Sequence, residues 1–374
     1  MRIGILTLPP HTNFGGILQA YAMTTILKRM GHEAYVIDRD PYWELPLKKK
    51  ILCYPKRVMQ RYLLGKKNVH IFIEENEKRV RPIIRQYTDC FVNKYLRMYP
   101  VELYDELGKS CFFDGYVVGS DQIWRRSYMP HIEDAFIAFD KREDIKIMAY
   151  ATSFGIDKWD YTTEQTKNCK ELVKRFCSVS VREDSAVQLC KNYLNTEAKW
   201  VLDPTMLLNV EDYIKLVENS GVKKSKGTLM VYILDQSQTI TAAINKFADT
   251  NGLLPFVING RVDDYYAPLE QRIQPPVESW LRGFMDSKVI ITDSFHACVF
   301  SILFHKKFYV IGNKERGQAR FNSLLGLFDL ADNMVNSVDG INVDKLLDVD
   351  WNKVDSILEA KRDEALNMFK GVFE

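Results

Sequence analysis

A chain of 374 residues is long enough for roughly two or three domains, and its 46% apolar residues can give each domain a hydrophobic core. The formal net charge of +2 is too small to indicate a nucleic-acid-binding protein, which would carry a strongly basic domain. The seven cysteines are odd in number and lack a C-x-x-C spacing, which favours reduced thiols over a disulfide framework or a zinc site.

The chain opens with a strand, Arg2–Leu8, rather than with the pattern of a signal peptide. Apolar spacing then predicts a helix that ends at Gly31, and a second strand covers Val36–Asp38. The turn before this helix resembles a Rossmann fold but lacks the G-x-G-x-x-G pattern of dinucleotide binding. Its glycines either let a ligand approach backbone N–H groups or form a plain tight turn. The candidate cleft residues here are Asn13, Gly15, Gly16 and Gln19.

Residues 46–67 contain eight Lys or Arg and no acidic residue, interleaved with apolar and aromatic side chains. Such a segment is typical of a helix on an anionic membrane surface, and also of a solvated helix. We predict an irregular helical region over 50–97, with peripheral membrane contact through 46–67 as one interpretation. No apolar stretch approaches the ~18 residues of a membrane-spanning helix, so we expect a cytoplasmic protein, free or held at the inner face of the membrane.

Polar residues follow the strand Tyr116–Val118, at the sheet edge where ligands bind in α/β proteins. The carboxylate of Asp121 suits proton transfer or a sugar hydroxyl, and it equally suits the cap of a following helix. The predicted cleft residues at this edge are Gly119, Ser120, Asp121 and Gln122.

Arg182 ends a further strand, Val179–Arg182, beside a helix N-terminus. A guanidinium there can hold a carboxylate or phosphate through two parallel hydrogen bonds. An ordinary ion pair with Glu183 or Asp184 is the alternative.

Strand and helix patterns continue to alternate through the second half of the chain. They predict an α/β protein with two Rossmann-like domains facing a cleft, the arrangement called GT-B-like. We expect an N-terminal domain over 1–205 with a helical insertion around 45–100, a C-terminal domain over 206–345, and a helix within 346–374 that packs back on the first domain. The predicted elements are strands at Leu229–Leu234, Pro255–Ile258 and Val289–Thr292 and helices at Ile240–Ala248 and Val277–Met285.

The stretch 288–322 contains the strongest candidates for catalytic and ligand-binding residues. It predicts strand, helix and strand, with His296 in the first turn of the helix and a cationic loop after Gly312. An imidazole exchanges protons near neutral pH, and cations at a sheet edge attract anionic ligands. A packed histidine and a solvated basic loop are the simpler interpretations. The cations are Lys314, Arg316 and Arg320.

Five motifs, in this order, resemble those of the polysaccharide pyruvyl transferase family. The resemblance covers roughly residues 1–330. They are NFGGILQAYA near the start, GSDQIW at 119–124, SVREDSA at 180–186, LDPTMLL at 202–208 and DSFHACVFSILFHKKFYVIGNK at 293–314.

The resemblance implies a GT-B-like fold and transfer of a pyruvyl group from phosphoenolpyruvate to two hydroxyls of a sugar, with release of phosphate. It implies donor recognition by Arg182 and Lys314 and acid/base catalysis by His296. The position of Asp121 at a strand end makes its carboxylate a candidate second base. No metal or other cofactor and no nucleic acid is expected. The partners would be phosphoenolpyruvate and a carbohydrate acceptor, for which a lipid linkage stays open.

One position departs from the family. Members often carry Arg-Leu directly before this histidine, whereas this chain has Ser294 and Phe295. Ser294 therefore takes a place in the donor site where family members have a cation. Arg316 or Arg320 would have to supply that positive charge.

Two other functions fit the same fold. The cationic loop after Gly312 suits the diphosphate of a nucleotide sugar, which would make the chain a GT-B glycosyltransferase. A non-catalytic carbohydrate-binding protein would keep the fold and have no need of His296.

Overall fold

The computed structural model describes residues 1–39, 47–66, 69–129, 131–312, 318–335 and 349–374. The predicted donor-binding residues Lys314 and Arg316 lie outside these ranges. Within these ranges the strands form two sheets in which all pairings are parallel, which confirms the predicted α/β class with two Rossmann-like halves.

Seven strands of the described residues form the first sheet. Strands such as Gly115–Val118 are buried along their whole length, because helices cover both faces of a parallel sheet. The strands are β1 (Arg2–Leu6), β2 (Glu33–Asp38), β3 (Met98–Pro100), β4 (Gly115–Val118), β5 (Lys146–Thr152), β6 (Ser178–Val181) and β7 (Lys199–Trp200), and they lie in the order β3-β2-β1-β4-β5-β6-β7.

The order of this sheet reverses direction beside β1, where β2 pairs on one side and β4 on the other. In open parallel sheets this reversal opens a crevice at the carboxyl ends of the strands. The accompanying helices are α1 (Phe14–Arg29), α2 (Leu47–Tyr62), α3 (Ile73–Ile84), α4 (Gln86–Tyr95), α5 (Asp105–Ser110), α6 (Thr163–Leu172) and α7 (Asp184–Leu189).

In the part of the chain that the structure describes, the second sheet has five strands. They are β8 (Leu229–Tyr232), β9 (Pro255–Phe256), β10 (Val289–Thr292), β11 (Lys307–Ile311) and β12 (Met334–Val335), in the order β12-β11-β10-β8-β9. Its helices are α8 (Val210–Glu218), α9 (Gln238–Thr250), α10 (Leu269–Arg272), α11 (Val277–Asp286), α12 (Phe295–Leu303) and α13 (Ala319–Leu327), and the chain ends with α14 (Trp351–Phe373).

One apolar core joins the two halves. The ring of Phe14, on α1, stacks on Trp280 of α11 with centroids 5.5 Å apart, and Tyr21 of α1 lies against Tyr213 of α8 with centroids 6.4 Å apart. Such aromatic pairs add about 0.5–1.5 kcal/mol to the burial of their apolar area. This shared core holds the carboxyl edges of the two sheets against each other.

The last helix lies against the first sheet. Phe369 of α14 contacts Tyr150 of β5, with ring centroids 4.7 Å apart. The Arg362 guanidinium donates hydrogen bonds to the carbonyls of Met206 and Leu208. These hydrogen bonds hold α14 against the segment that links the two sheets. None of the described helices is both long and apolar enough to span a bilayer.

Candidate active site

A cleft of about 1110 Å³ lies between the carboxyl edges of the two sheets. Its walls come from loops that follow β1 and β4 on one side and β8, β9 and β10 on the other. The lining includes Leu8, Thr12, Asn13, Asp121 and Gln122 from the first half and Tyr232, Asp293, Ser294, Phe295, His296 and Arg320 from the second.

The beginning of α1 fits closely against His296. Asn13 caps the helix, because its side-chain oxygen accepts hydrogen bonds from the N–H groups of Gly15 and Gly16 at 3.0 and 3.4 Å. A Cβ on Gly15 would lie 2.8 Å from the Cβ of His296 and would overlap its imidazole ring. A Cβ on Gly16 would meet only Asn13 atoms, at 3.8 Å. Gly15 therefore leaves room for His296, a role that the glycine turn alone did not reveal.

Asp203 is the centre of a buried polar network beneath His296. One of its oxygens accepts hydrogen bonds from Gln19, at 2.5 Å, and from Arg182, at 2.9 Å. The other accepts from the backbone and hydroxyl of Thr205 at 3.0 and 2.7 Å. Nε2 of His296 lies 3.7 Å from this carboxylate. The network therefore connects α1, the end of β6 and the start of α12.

Ser120 joins the same network after β4. Its hydroxyl accepts from the amide of Gln19 at 2.9 Å and lies 3.3 Å from the Asp203 carboxylate. The preceding Gly119 has a φ of 121°, and a Cβ there would overlap the carbonyl of Tyr150. Glycine is thus required at this position for the loop to reach the network.

The charges of the network keep its acids ionised. Burial would raise the pKa of Asp203, but His296 and Arg182 outweigh burial and hold that pKa well below its usual range. Burial also acts to raise the pKa of Asp121, and Arg182 and His296 again leave it lowered. Both carboxylates therefore act as hydrogen-bond acceptors in the neutral pH range.

Arg182 is buried and divided between two carboxylates. One nitrogen bonds Asp203 and the other lies 3.2 Å from an oxygen of Asp121. The alternative pair with Asp184 does not form, since Asp184 bonds Ser323 instead. Asp121 caps no helix, because residues 121–129 form turns. Nε of Arg182 and Nε2 of His296 find no hydrogen-bond partner in the described part of the chain.

Phe295 brings a second guanidinium into the cleft. Its ring lies 4.6 Å from the guanidinium carbon of Arg182 and 5.5 Å from that of Arg320, which enters from the first turn of α13. Burial and the nearby Arg182 lower the pKa of Arg320 to about 10. An anion bound beside Arg320 would stabilise the charged guanidinium and so offset the effect of burial and of Arg182. Arg320 is thus suited to receive an anionic ligand.

Glu183 shapes the turn after β5. Its carboxyl accepts from the Ser153 hydroxyl and the Phe154 N–H, both at 3.0 Å, and from the Gly155 N–H at 3.3 Å. Burial raises its pKa despite the neighbouring Arg182. We interpret Glu183 as a residue that fixes this turn behind the cleft.

The loops after β8 and β9 line the cleft with uncharged polar side chains and with the charged Arg261, Asp263 and Asp264. Asp293 accepts the N–H groups of Leu234 and Asp235 at 2.7 and 2.9 Å, which fixes the loop that follows β8. Amides and hydroxyls of this kind suit the hydroxyls of a sugar. The side chains are Gln236, Ser237, Gln238, Thr241, Asn245 and Asn259. Among the described residues, no group of three or more His, Cys, Asp or Glu side chains is arranged to hold a metal ion.

The structure brings most of the predicted site residues together. Asn13, Asp121, Gln122, Ser294, His296 and Arg320 line the cleft, and Gln19, Ser120 and Arg182 lie in the network behind it. Gln122 turns its amide oxygen to Arg125 at 2.7 Å, and Ser294 caps α12. Sequence reasoning missed Asp203 as a site residue. The signal was available, because Asp203 follows a strand of the same sheet and lies in LDPTMLL.

Comparisons with known proteins relate this chain to one family. A family model described as "Polysaccharide pyruvyl transferase" matches residues 13–315. No curated protein matches the chain.

Solved structures show similarity of fold over nearly the whole chain. The S. aureus MnaA-UDP co-structure is 10% identical with a TM-score of 0.50, covering 98% of this chain and 89% of that one. UDP-GlcNAc 2-epimerase from Methanocaldococcus jannaschii, in complex with UDP-GlcNAc and UDP, is 12% identical with a TM-score of 0.47, covering 99% of each chain. A glycosyltransferase from Rickettsia africae is 10% identical with a TM-score of 0.45, covering 98% of this chain and 93% of that one. The fold is GT-B-like.

Proposed function

The chain belongs to the polysaccharide pyruvyl transferase family, and we propose that it transfers the pyruvyl group of phosphoenolpyruvate to two hydroxyls of one sugar, forming a cyclic ketal. The observation that carries the proposal is the meeting of His296 with the network of Asp203, Arg182 and Asp121 at the cleft, 3.7 Å from Nε2 of His296 to Asp203. Groups for anion binding and for proton transfer thus lie side by side.

The donor would bind at the cationic end of the cleft. Phosphoenolpyruvate has a carboxylate and a phosphate, so its site needs donors at two points. Arg320 faces the cleft, and Nε of Arg182 is a buried donor without a partner among the described residues. Nε2 of His296 is a buried ring nitrogen that also has no hydrogen-bond partner among them. An unmatched buried donor is costly, so an anionic oxygen that accepts from it is stabilised. Lys314 stays the predicted second cation.

Arg320 would supply the charge that Ser294 and Phe295 do not. The guanidinium of Arg320 lies over the same Phe295 ring that contacts Arg182. Two guanidinium groups on one aromatic ring are kept close despite their like charge. A phosphate between or beside them would offset that repulsion.

His296 would carry out the proton transfers. Nε2 of His296 lies 3.7 Å from the Asp203 carboxylate, and an imidazole is the side chain that most readily takes up and releases protons near neutral pH. Asp121 is a weaker base because its pKa is lowered. We therefore give Asp121 the role of accepting a hydrogen bond from the attacking sugar hydroxyl, rather than its proton.

The proposed transfer conserves protons, atoms and electron pairs at each step. A proton adds to the methylene carbon of phosphoenolpyruvate, and a sugar hydroxyl attacks the adjacent carbon and loses its proton. The carbon–oxygen bond to phosphate then breaks, and the phosphate leaves with the electron pair. The second hydroxyl attacks the same carbon and loses its proton, which closes the ketal. Cations beside the phosphate stabilise the leaving charge.

The acceptor sugar would occupy the part of the cleft that the loops after β8 and β9 line. The amides and hydroxyls from Gln236 to Asn245 and at Asn259 offer both donors and acceptors, as sugar hydroxyls require. The cleft volume of about 1110 Å³ accommodates donor and acceptor together.

Ligand-dependent thermal stability tests the donor. Phosphoenolpyruvate at one hundred times its dissociation constant should stabilise the folded chain by about 2.7 kcal/mol, and this gain should disappear in Arg320→Ala and Lys314→Ala. Phosphate release from phosphoenolpyruvate, assayed with a panel of oligosaccharides, tests the transfer and should be lost in His296→Ala.

Two outcomes would contradict the proposal. Stabilisation by nucleoside diphosphates alone would assign the cleft to a nucleotide-sugar glycosyltransferase. Unchanged carbohydrate binding in His296→Ala, without phosphate release from any form of the protein, would assign it to a binding protein. Arg126→Ala, in an exposed residue outside the cleft, serves as the control.

A further inference from the structure

Helix α2 turns its polar face toward the protein. Arg57 forms two hydrogen bonds with the Glu74 carboxylate of α3, both at 2.8 Å. Tyr54 donates to Glu75 at 2.6 Å, and Lys50 lies 3.4 Å from the same carboxylate. An amphipathic helix on a globular protein usually buries its apolar face instead.

The apolar face of α2 and the turn that follows it are correspondingly exposed. Leu52 is 74% exposed, Tyr62 70% and Leu63 78%. The face continues through Met59 to Phe72, and it encloses a shallow apolar depression of about 700 Å³. A large exposed apolar patch of this kind usually marks a surface that binds another protein or a membrane. We refer to Ile51, Leu52, Val58, Met59, Tyr62, Leu63, Leu64 and Phe72 as the outer face of the insertion.

The charges around the outer face are positive. Lys56 and Lys66 are exposed beside it, and residues 46–67 contain no Asp or Glu. Two acids of α3, Glu74 and Glu75, are paired with the cations on the inner side of α2. Apolar side chains flanked by lysines complement a bilayer that contains anionic lipids, where apolar groups enter the interface and lysines meet headgroup phosphates.

A second copy of the chain fits this face less well. A symmetric dimer through the outer face would bring the same lysines of both copies together. No acidic residue of 46–67 is available to offset them. An anionic lipid surface meets the apolar and the cationic groups at once.

The insertion is tied to the rim of the cleft. Glu77 of α3 forms a two-point ion pair with Arg272 at 2.9 and 2.8 Å, and Arg272 also donates to the carbonyl of Val262, which lines the cleft. His70, beyond the end of α2, stacks on Tyr266 with ring centroids 5.5 Å apart. A surface bound by the insertion is therefore linked to the loop at the mouth of the cleft.

We propose that the outer face of the insertion docks the protein on the surface of a bilayer containing anionic lipids. Docking through this face would hold the mouth of the cleft near the membrane, where an acceptor carried on a lipid would be within reach. The membrane contact does not depend on pyruvyl transfer, and it is tested without substrate.

Co-sedimentation with vesicles tests the proposal on the full chain. Phosphatidylcholine vesicles that contain phosphatidylglycerol should bind the protein, and pure phosphatidylcholine vesicles should bind it much less. Leu52→Ser with Leu63→Ser should weaken binding by roughly tenfold or more, because both side chains leave the interface. Lys56→Gln with Lys66→Gln should weaken it roughly fivefold for each lysine, and added salt should act in the same direction.

Matched substitutions elsewhere separate this face from the rest of the surface. Leu103→Ser with Leu254→Ser changes two leucines of similar exposure, 57% and 58%, and should leave vesicle binding unchanged. The proposal would be overturned if the leucine and lysine variants bound anionic vesicles as well as the wild type does. It would also be overturned if the wild type did not bind anionic vesicles. A dimer in sedimentation velocity that Leu52→Ser with Leu63→Ser abolishes, without vesicle binding, would assign the face to a second copy.

Discussion

Two adjacent glycines of α1 provide a sharp test of the site. Gly15→Ala adds a methyl group 2.8 Å from the Cβ of His296 and closer still to its ring, whereas Gly16→Ala adds one at 3.8 Å from its nearest neighbours. Carbon atoms in contact normally lie about 3.5–4.0 Å apart, so His296 must move by roughly 1 Å in the first variant. It need not move in the second.

The expected effect on activity follows from that displacement. A misplacement of about 1 Å at a catalytic group costs roughly 100-fold in rate. Gly15→Ala should therefore lower kcat by about two orders of magnitude, measured as phosphate release from phosphoenolpyruvate with acceptor sugar. Both positions are helical, and alanine is the better helix former by about 0.5–1 kcal/mol, so Gly16→Ala should keep its activity and unfold at an equal or higher temperature.

The pair of variants can refute the argument cleanly. If Gly15→Ala and Gly16→Ala retained the same activity, His296 would not need the position that Gly15 allows it, and its role in proton transfer would be wrong. If Gly15→Ala lost activity only through unfolding, its thermal transition would show a large loss of stability. We expect that transition to stay near the wild-type temperature, because the helix gain offsets part of the strain.

Asp203→Asn removes the central charge of the buried network and should lower the free energy of unfolding by about 3 kcal/mol. Glu171→Gln, in the exposed ion pair with Lys174, should leave the free energy of unfolding nearly unchanged, and similar losses in the two variants would contradict the buried role of Asp203. Because the pKa of Asp203 is lowered in the folded chain, this carboxylate is protonated in the unfolded chain at a higher pH than in the folded chain. The free energy of unfolding of the wild type should therefore fall as the pH drops below about 4, and it should fall less steeply in Asp203→Asn. Parallel pH profiles of the two proteins in denaturant titrations would count against this linkage. Arg320→Gln should weaken phosphoenolpyruvate binding about 10- to 100-fold in calorimetry, with Arg126→Gln unchanged, because a charge-assisted hydrogen bond contributes about 1.5–3 kcal/mol.

The sequence by itself determined the fold class and the edges on which the site is built. Buried strands such as Val289–Thr292 are apolar along their length, and the polar residues that interrupt the pattern stand at their carboxyl ends. Hydrophobic period and chain order are local properties, so they predicted the α/β architecture, the place of His296 at a helix start and Asp121 at a strand end. The short strands Met98–Pro100 and Met334–Val335 were not predicted, because two or three residues carry no period.

Only the tertiary structure decided which of these residues act together. Asp203 and Arg182 lie 21 positions apart, and His296 belongs to the other sheet, so no local pattern could pair them. The same holds for Gly15, whose missing side chain matters only because His296 fills the space above it. Pairing across sheets depends on how the shared core sets the two edges against each other, and that packing is a property of the whole chain.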